Sequence, residues 1–522
     1  METAISRVVI VGGGTAGWLA ACRIAASART TLTITLIESP DIPTIGVGEG
    51  TWPTMRGTLE RIGIAEADFL TACDASFKQG SSFTAWHTGA PDDQYFHPFV
   101  PPPAAEPRDL VAAWDHAPVK PFAETVCPQP ALCRLNLAPR QRAMPDYGGA
   151  VNYAYHLDAV KLAGLLMRHG TERLGVRHVR DHVTSVTSAD NGAIAAVDTR
   201  GNGAIAGDLF LDCTGHAAML TGGHFAVPFI DRTSQLFNDR ALAVQVPVAP
   251  DSAIASHTSA TAHAAGWIWD IGLPTRRGIG CVYSSAHAGD DDAAATLEAY
   301  LRRTAPWTTL DALSPRRLTF RSGHRERFWQ GNCLAIGLSA GFLEPLEASA
   351  IVLAELSIDA LIDNFPATRD TMDIHARRFN ELFRYRWDRI VEFLKLHYVL
   401  SQRQEPYWRD HREAASVPAR LADLLHIWRD QPPSQYDFPS ANEVFPAASY
   451  QYILYGMGFA PPHDSLIRTA GQGAGQDAAQ RAFQQVEARA RTLAAGMPTN
   501  RTYLDALRAS HTPSSAYKEM MP

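Results

Sequence analysis

The residues most able to do chemistry stand near the start of the chain. Gly12-Gly-Gly-Thr-Ala-Gly17 carries the pattern GxGxxG in Gly12, Gly14 and Gly17, with Thr15 and Ala16 before the last glycine. The first glycine permits a tight turn, the second lets backbone approach a pyrophosphate, and the third lets a helix pack closely. A pyrophosphate would rest on the positive end of that helix. Glu38 follows at the interval where an acid accepts from a ribose hydroxyl. The chemistry on offer is dinucleotide binding, with a nicotinamide or a flavin as ligand.

Such a site needs a strand, a turn, a helix and a second strand. Arg7-Val-Val-Ile-Val11 is a continuous apolar run, as in a parallel strand buried on both faces. Trp18 to Ala26 has helical composition, and Leu32 to Ile37 reads as the next strand. Residues 88–145 are rich in Pro, Asp and Gln and read as an irregular insertion. Val160–His169 reads as helix, then Val179–Val186, Ile194–Thr199 and Asp208–Asp212 as strands. Residues 241–285 look like sheet, 345–362 like a buried helix, and the chain beyond about 370 is helical. Residues 470–476 read as a flexible break before a solvated helix at 477–495. Two later strand ends, Asp212-Cys-Thr-Gly215 and Leu334-Ala-Ile-Gly-Leu338, favour flavin, because large flavoproteins return the chain to FAD in this way.

Composition removes several classes of function. The 522 residues are 46% hydrophobic and 19% charged, with 47 Lys and Arg against 54 Asp and Glu, a net charge of −7. That balance leaves no basic face for nucleic acid or anionic lipid. No apolar run reaches the ~18 residues of a membrane span, and the N-terminus lacks a secretory pattern. The seven cysteines form no CxxC pair; they read as reduced thiols in a cytoplasm, and no metal site is expected.

Seven segments, in order, resemble the flavin-dependent halogenases of the tryptophan-halogenase type. They are Gly12-Gly-Gly-Thr-Ala-Gly-Trp18, Gly46-Val-Gly-Glu-Gly-Thr51, Ser76-Phe-Lys78, Tyr155-His-Leu-Asp158, Asp212-Cys-Thr-Gly215, Trp267-Ile-Trp-Asp-Ile271 and Gly337-Leu-Ser-Ala-Gly-Phe-Leu-Glu-Pro-Leu-Glu347. The resemblance implies an α/β fold with a Rossmann-like FAD-binding core of glutathione-reductase type and mixed sheets over residues 1–370. A mainly helical region, 371–522, would cover the substrate. It implies FADH2 from a separate flavin reductase, since no second nucleotide fingerprint is present, together with dioxygen and a halide ion. Hypohalous acid would then be guided to a small electron-rich arene. The assembly would be a monomer or a homodimer.

The resemblance also assigns residues. Lys78, by itself one more solvated lysine, would hold the oxidant by hydrogen bond or as a haloamine. Arg would suit less well, because its charge is delocalised. Glu347, by itself a first-turn residue complementing a helix dipole, would orient the oxidant and take the ring proton. Gly48 and Glu49 belong to a strap over the flavin, and Val183, Asp212, Leu338 and Ile351 to its contacts. His97 and Phe99 would sandwich an indole, and Trp267 would keep oxygen transfer from the substrate. Ser349 and Ala350 would hold halide through backbone N–H groups. Two departures stand out: Gly272 replaces a proline after the Trp267 motif, and Ala348-Ser-Ala350 replaces Ser-Thr-Gly. The second predicts an altered halide preference, towards the more easily oxidised bromide. With no pair of groups to bind an amino acid's carboxylate and amine, indole or a related arene is the expected substrate. The alternatives are a flavin-dependent aromatic monooxygenase, which has no need of Lys78, and a non-catalytic flavin-binding protein.

Overall fold

The apolar run at the N-terminus forms the strand Arg7–Val11 in a six-stranded sheet ordered Trp329–Gln330, Cys333–Ala335, Leu209–Asp212, Arg7–Val11, Thr33–Glu38, Arg177–Arg180. This is a computed structural model describing residues 4–28, 32–42, 46, 49–115, 120–460 and 472–511. All neighbours in this sheet are parallel except the pair at the Trp329 edge. Val8 to Val11 are no more than 3% exposed, because Val8 and Ile10 pack on helices while Val9 and Val11 pack on a three-stranded sheet that holds Val186, Ile194, Val197 and Ile205. The carboxyl ends of the strands at Val11, Asp212 and Ala335 open on one crevice, where α/β sheets bind ligands.

A seven-stranded sheet runs Arg316–Thr319, Arg240–Pro247, Arg276–Tyr283, Gly266–Gly272, Thr258–His263, Gly80–Thr84, Gln94–Pro98. A third, three-stranded sheet places Ala154–Leu157 between Glu49–Gly50 and Ser76–Lys78. The helix Met372–Val399 closes over these sheets, with Phe393, Leu394 and Leu396 fully buried. Among the described residues no helix is long and apolar enough to cross a membrane. All seven cysteines are free and buried.

Several expectations need correction. Were residues 77–86 one strand, Lys78 would share a face with Gly80, Ser82, Thr84 and Trp86; instead Gln79 separates Ser76–Lys78 from Gly80–Thr84, which belong to different sheets. Ala85 then takes φ 62° and ends the second strand before Trp86. Val179–Val186 likewise divides into Arg177–Arg180 and Val183–Ser188, in separate sheets. The insertion is not irregular throughout. It contains the strand Gln94–Pro98 and the helices Pro107–Asp115, Phe122–Val126 and Gln129–Arg134, because apolar residues such as Leu110, Phe122 and Leu132 find core partners. Of the expected break at 470–476, residues from 472 begin the helix Gln472–Gly496, while 470–471 lie outside the described residues.

A buried ionic cluster fixes the floor of the third sheet. Glu66 and Arg140, 1% and 2% exposed, form an ion pair. Glu66 also accepts from the hydroxyls of Tyr153 and Tyr155, each at 2.7 Å. Arg140→Leu is expected to destabilise the protein by about 3–5 kcal/mol, since it leaves a buried carboxylate without its cation. Denaturant unfolding checks this. A loss below about 1 kcal/mol would mean that the tyrosine hydroxyls and the Tyr147 N–H satisfy Glu66 without the arginine.

Candidate active site

The fingerprint turn is built as its glycines require. A Cβ on Gly12, at φ 114°, would stand 2.1 Å from the Cys213 carbonyl oxygen, and one on Gly17 would stand 1.9 Å from the Gly12 oxygen. A Cβ on Gly14 would meet nothing within 4 Å. Gly14 caps the helix Thr15–Ser27 without a side-chain hydrogen bond, so backbone N–H groups at Thr15 and Ala16 are open to an anion. The turn Gly337–Ser339, which carries Leu338, sits on this helix start: a Cβ on Gly337 would be 2.8 Å from that of Ala16. The Glu38 carboxyl lies against Gly13, with His178 Nε2 at 2.9 Å from its Oε2. Asp212 is fully buried, and both its oxygens serve the adjoining loop: Oδ1 accepts from Thr214, Oδ2 from the Leu220 and Thr221 N–H groups. It braces the crevice rather than offering a free acceptor. Val183 is half-buried at the start of its strand, and Ile351 is buried in the first turn of the helix Ser349–Asp363. This bare cradle suits a dinucleotide such as FAD. In the strap, Gly48 lies outside the described residues. Glu49 pairs with Leu157, and burial beside the charge of Asp158 pushes its carboxyl up to about 7.

Lys78 is 1% exposed, and its backbone is pinned on every side. Ser76 Oγ donates to the Gly272 carbonyl at 2.5 Å, so the glycine that replaces the expected proline supports the lysine strand. Phe77 N donates to Asn500 Oδ1 at 3.4 Å, while Asn500 Nδ2 donates to the Phe77 carbonyl at 3.2 Å. Gln79 N donates to Ser256 O at 2.7 Å. The ammonium is thus held by backbone geometry, not by a carboxylate: no ion pair joins Lys78 to Glu347 or to any other described residue. Nζ stands 5.6 Å from the Phe99 ring centroid and would be 3.0 Å from a Cβ on Gly50. Burial lowers Lys78 to about 8, against the raising influence of Glu347.

Glu347 is 8% exposed and is not in a helical turn. It adopts φ 63°, Ala348 follows at φ 55°, and the helix begins at Ser349. Two successive left-handed residues without glycine store strain of about 1–3 kcal/mol each, as functional turns often do. Trp52 Nε1 donates to the Glu347 carbonyl at 2.8 Å and helps hold this shape. His97 Nδ1 lies 2.7 Å and His397 Nε2 3.5 Å from Glu347 Oε1. Burial pushes the carboxyl up, but the hydrogen bond with His97 and the charge of Lys78 hold it below the usual range. His97, in the edge strand Gln94–Pro98, meets the carboxylate, and Phe99, just past the end of that strand, faces the ammonium. The helix Ser349–Asp363 has no side-chain cap, which leaves the N–H groups at its start, among them those of Ser349 and the exposed Ala350, unclaimed by a side chain.

The tryptophan halogenase family model matches residues 7–472. The chain belongs to that family. A solved tryptophan halogenase from Shewanella frigidimarina NCIMB 400 is 48% identical, with a TM-score of 0.93 over 98% of this chain and 99% of that one. Tryptophan 6-halogenase SttH from Streptomyces toxytricini is 34% identical over 96% of this chain and 98% of its own. BrvH, a flavin-dependent halogenase from Brevundimonas sp. BAL3, is 31% identical with a TM-score of 0.83, covering 96% and 99% of the two chains. The protein is accordingly an enzyme, a flavin-dependent halogenase with a Rossmann-like FAD-binding core.

In this halogenase the motif strand Gly266–Gly272 is buried along its whole length. Trp267 and Trp269 lie on one face, as alternation predicts, with ring centroids 6.4 Å apart. Trp269 packs flat against Gly280, where a Cβ would be 2.1 Å from its ring. The sequence reading missed His397, Trp52 and Asn500. His397 is fully buried, with Nδ1 2.8 Å from the Tyr95 hydroxyl, and burial pushes it down to about 3, so it faces Glu347 as a neutral imidazole. Its only signal was a histidine in an aromatic helix, which spacing alone does not connect to residue 347. Asn500 stands at the start of the last described helix, Asn500–Ser510, far along the chain from the lysine it clamps.

Proposed function

We propose that the halogenase uses Lys78 and Glu347 to deliver hypohalous acid to an electron-rich carbon of an indole-type arene. The observation that carries this is a buried ammonium and a buried carboxylate that feel each other's charge without being paired, with Gly50 next to both Lys78 Nζ and Ala348, the neighbour of Glu347. Unlike charges left unpaired in this way suit a small polar oxidant. The turn at Gly12–Gly17, Glu38, the Glu49 strap and the Leu338 turn would hold reduced FAD from a separate reductase, which with dioxygen would supply the oxidising equivalents for converting halide to hypohalous acid. Lys78 donates a hydrogen bond to the oxygen of that acid. As the arene carbon bonds to halogen, the halogen–oxygen bond breaks and the Lys78 proton leaves with the hydroxyl as water. Glu347 takes the ring proton, and its return to Lys78 restores both groups. His97 and Phe99 hold the ring. Two of the relatives are named for tryptophan, whose reacting part is an indole. The backbone at Ser349 and Ala350 is assigned to halide.

Incubation with a flavin reductase, FAD, NADH, bromide and indole, read by mass spectrometry for bromine isotopes, tests the reading. Brominated indole is expected, and a hydroxylated product alone would favour the monooxygenase. In an equimolar bromide–chloride competition the brominated product is expected to dominate, because Ala348-Ser349-Ala350 departs from the usual halide turn. Predominant chlorination would remove that argument.

The state of the pair sets the pH dependence. With Lys78 lowered to about 8 and Glu347 held below its usual range, both are charged under mildly acidic to neutral conditions. Raising the pH through about 8 removes the Lys78 proton. Product formed per reduced flavin is therefore expected to fall above pH 8. A rise through that pH would instead identify the neutral amine, and a haloamine, as the working form.

A further inference from the structure

Glu344 stands in the same turn as Glu347, and the chemistry above gives it no task. It is fully buried. Its Oε2 accepts three hydrogen bonds: from Asn238 Nδ2 at 2.6 Å, Trp267 Nε1 at 3.0 Å and the Tyr398 hydroxyl at 2.6 Å. Its Oε1 has no partner among the described residues. The donors are themselves supported. Asn238 Oδ1 accepts from the Tyr407 hydroxyl at 3.1 Å. Tyr398 stacks on His411 at 4.2 Å and 11°, and Lys395 Nζ lies 2.8 Å from His411 Nδ1. Burial raises the Glu344 carboxyl, opposed by these donors and by the charge of Lys395.

The hub reaches each part of the site. Trp267 belongs to the motif strand, Tyr398 is the neighbour of His397, which faces Glu347, and Pro345 and Leu346 join Glu344 to the strained Glu347 turn. A single oxygen thus ties a strand, the long helix and the catalytic turn together. Errors in placing reactive groups are costly: about 1 Å can lose about 10²-fold in rate.

We propose that Glu344 is a positioning residue: by accepting from Trp267, Asn238 and Tyr398 at one oxygen it holds the Glu347 turn in register with its surroundings and sets the fraction of oxidant that reaches the arene. This rests on the Lys78–Glu347 reading. The experiment is a single turnover of FADH2-loaded enzyme with dioxygen, bromide and indole, measuring bromoindole and bromination of a dissolved scavenger. Glu344→Gln keeps an acceptor oxygen and is expected to stay within about threefold of the parent enzyme. Glu344→Leu removes the acceptor and is expected to lower bromoindole per flavin about 10-fold or more, the difference appearing on the scavenger while bound flavin is unchanged. Tyr398→Phe removes one donor, keeps the ring and is expected to move the partition the same way by a smaller factor. A folded Glu344→Leu with the parent partition overturns the proposal, as does a Glu344→Gln as impaired as the leucine variant. Should the leucine variant fail to fold, an unchanged partition in Tyr398→Phe overturns it. Bromination that survives Lys78→Ala would instead sink the underlying reading.

Discussion

Lys78→Ala is expected to end halogenation and leave the flavin bound. The lysine lies outside the Gly12–Gly17 turn, and its strand is held through Ser76, Phe77 and Gln79 by Gly272, Asn500 and Ser256, contacts that an alanine at 78 keeps. Removing a buried ammonium that has no ion-pair partner also removes a desolvation cost, so the fold should tolerate the change. What is lost is the donor to the departing hydroxyl. Removing one preorganised donor from a water-excluded site costs about 10²–10³-fold in rate, and here the donor also carries the proton. Halogenated arene should fall by at least that factor, while flavin absorbance of the purified protein and oxygen consumption with reduced flavin stay near the parent values. Retained halogenation would dismiss the assignment of Lys78. Loss of bound flavin together with activity would show that the substitution had disturbed the fold instead.

Glu347→Gln is the second large effect. An amide oxygen can still accept from His97 Nδ1, now 2.7 Å from Oε1, so the turn should keep its shape. The charge and the basicity go. A general base contributes about 10²–10⁴-fold, and the product yield per reduced flavin should fall within that range. Glu347→Asp is expected to lose less than the amide variant if basicity governs, because a carboxylate remains. Equal losses would mean that reach, rather than proton transfer, sets the requirement. His397 offers an internal comparison. Its ring stands 3.5 Å from Glu347 without a hydrogen bond, and burial holds it down to about 3, so it is too weak a base to take over the work.

Much of the cofactor cradle was legible because its requirements are local. A glycine at φ 114° whose Cβ would strike the Cys213 carbonyl leaves its mark as a fixed residue type, and a strand buried on both faces leaves an unbroken apolar run. The irregular reading of residues 88–145 failed because Pro and Asp report on turns, whereas the short helices there are stabilised by distant core partners. The boundary between the Lys78 strand and Gly80–Thr84 is hidden for a similar reason. Alternation along Ser76 to Trp86 carries no record that Gln79 turns its main chain to Ser256 and divides two sheets. Glu347 reads as a first-turn residue, yet it is left-handed, a conformation its type does not announce.

Unaided by any coordinates, the order of residues determined the dinucleotide turn, the buried first strand and the family resemblance, because each is written within a few neighbouring positions. Folding alone decided that His97 meets Glu347 across 250 residues, that His397 and Trp52 join them, and that Asn500 grips the lysine strand. Those meetings depend on sheet register and on where one long helix docks, and the energy that fixes them is distributed over the packed core.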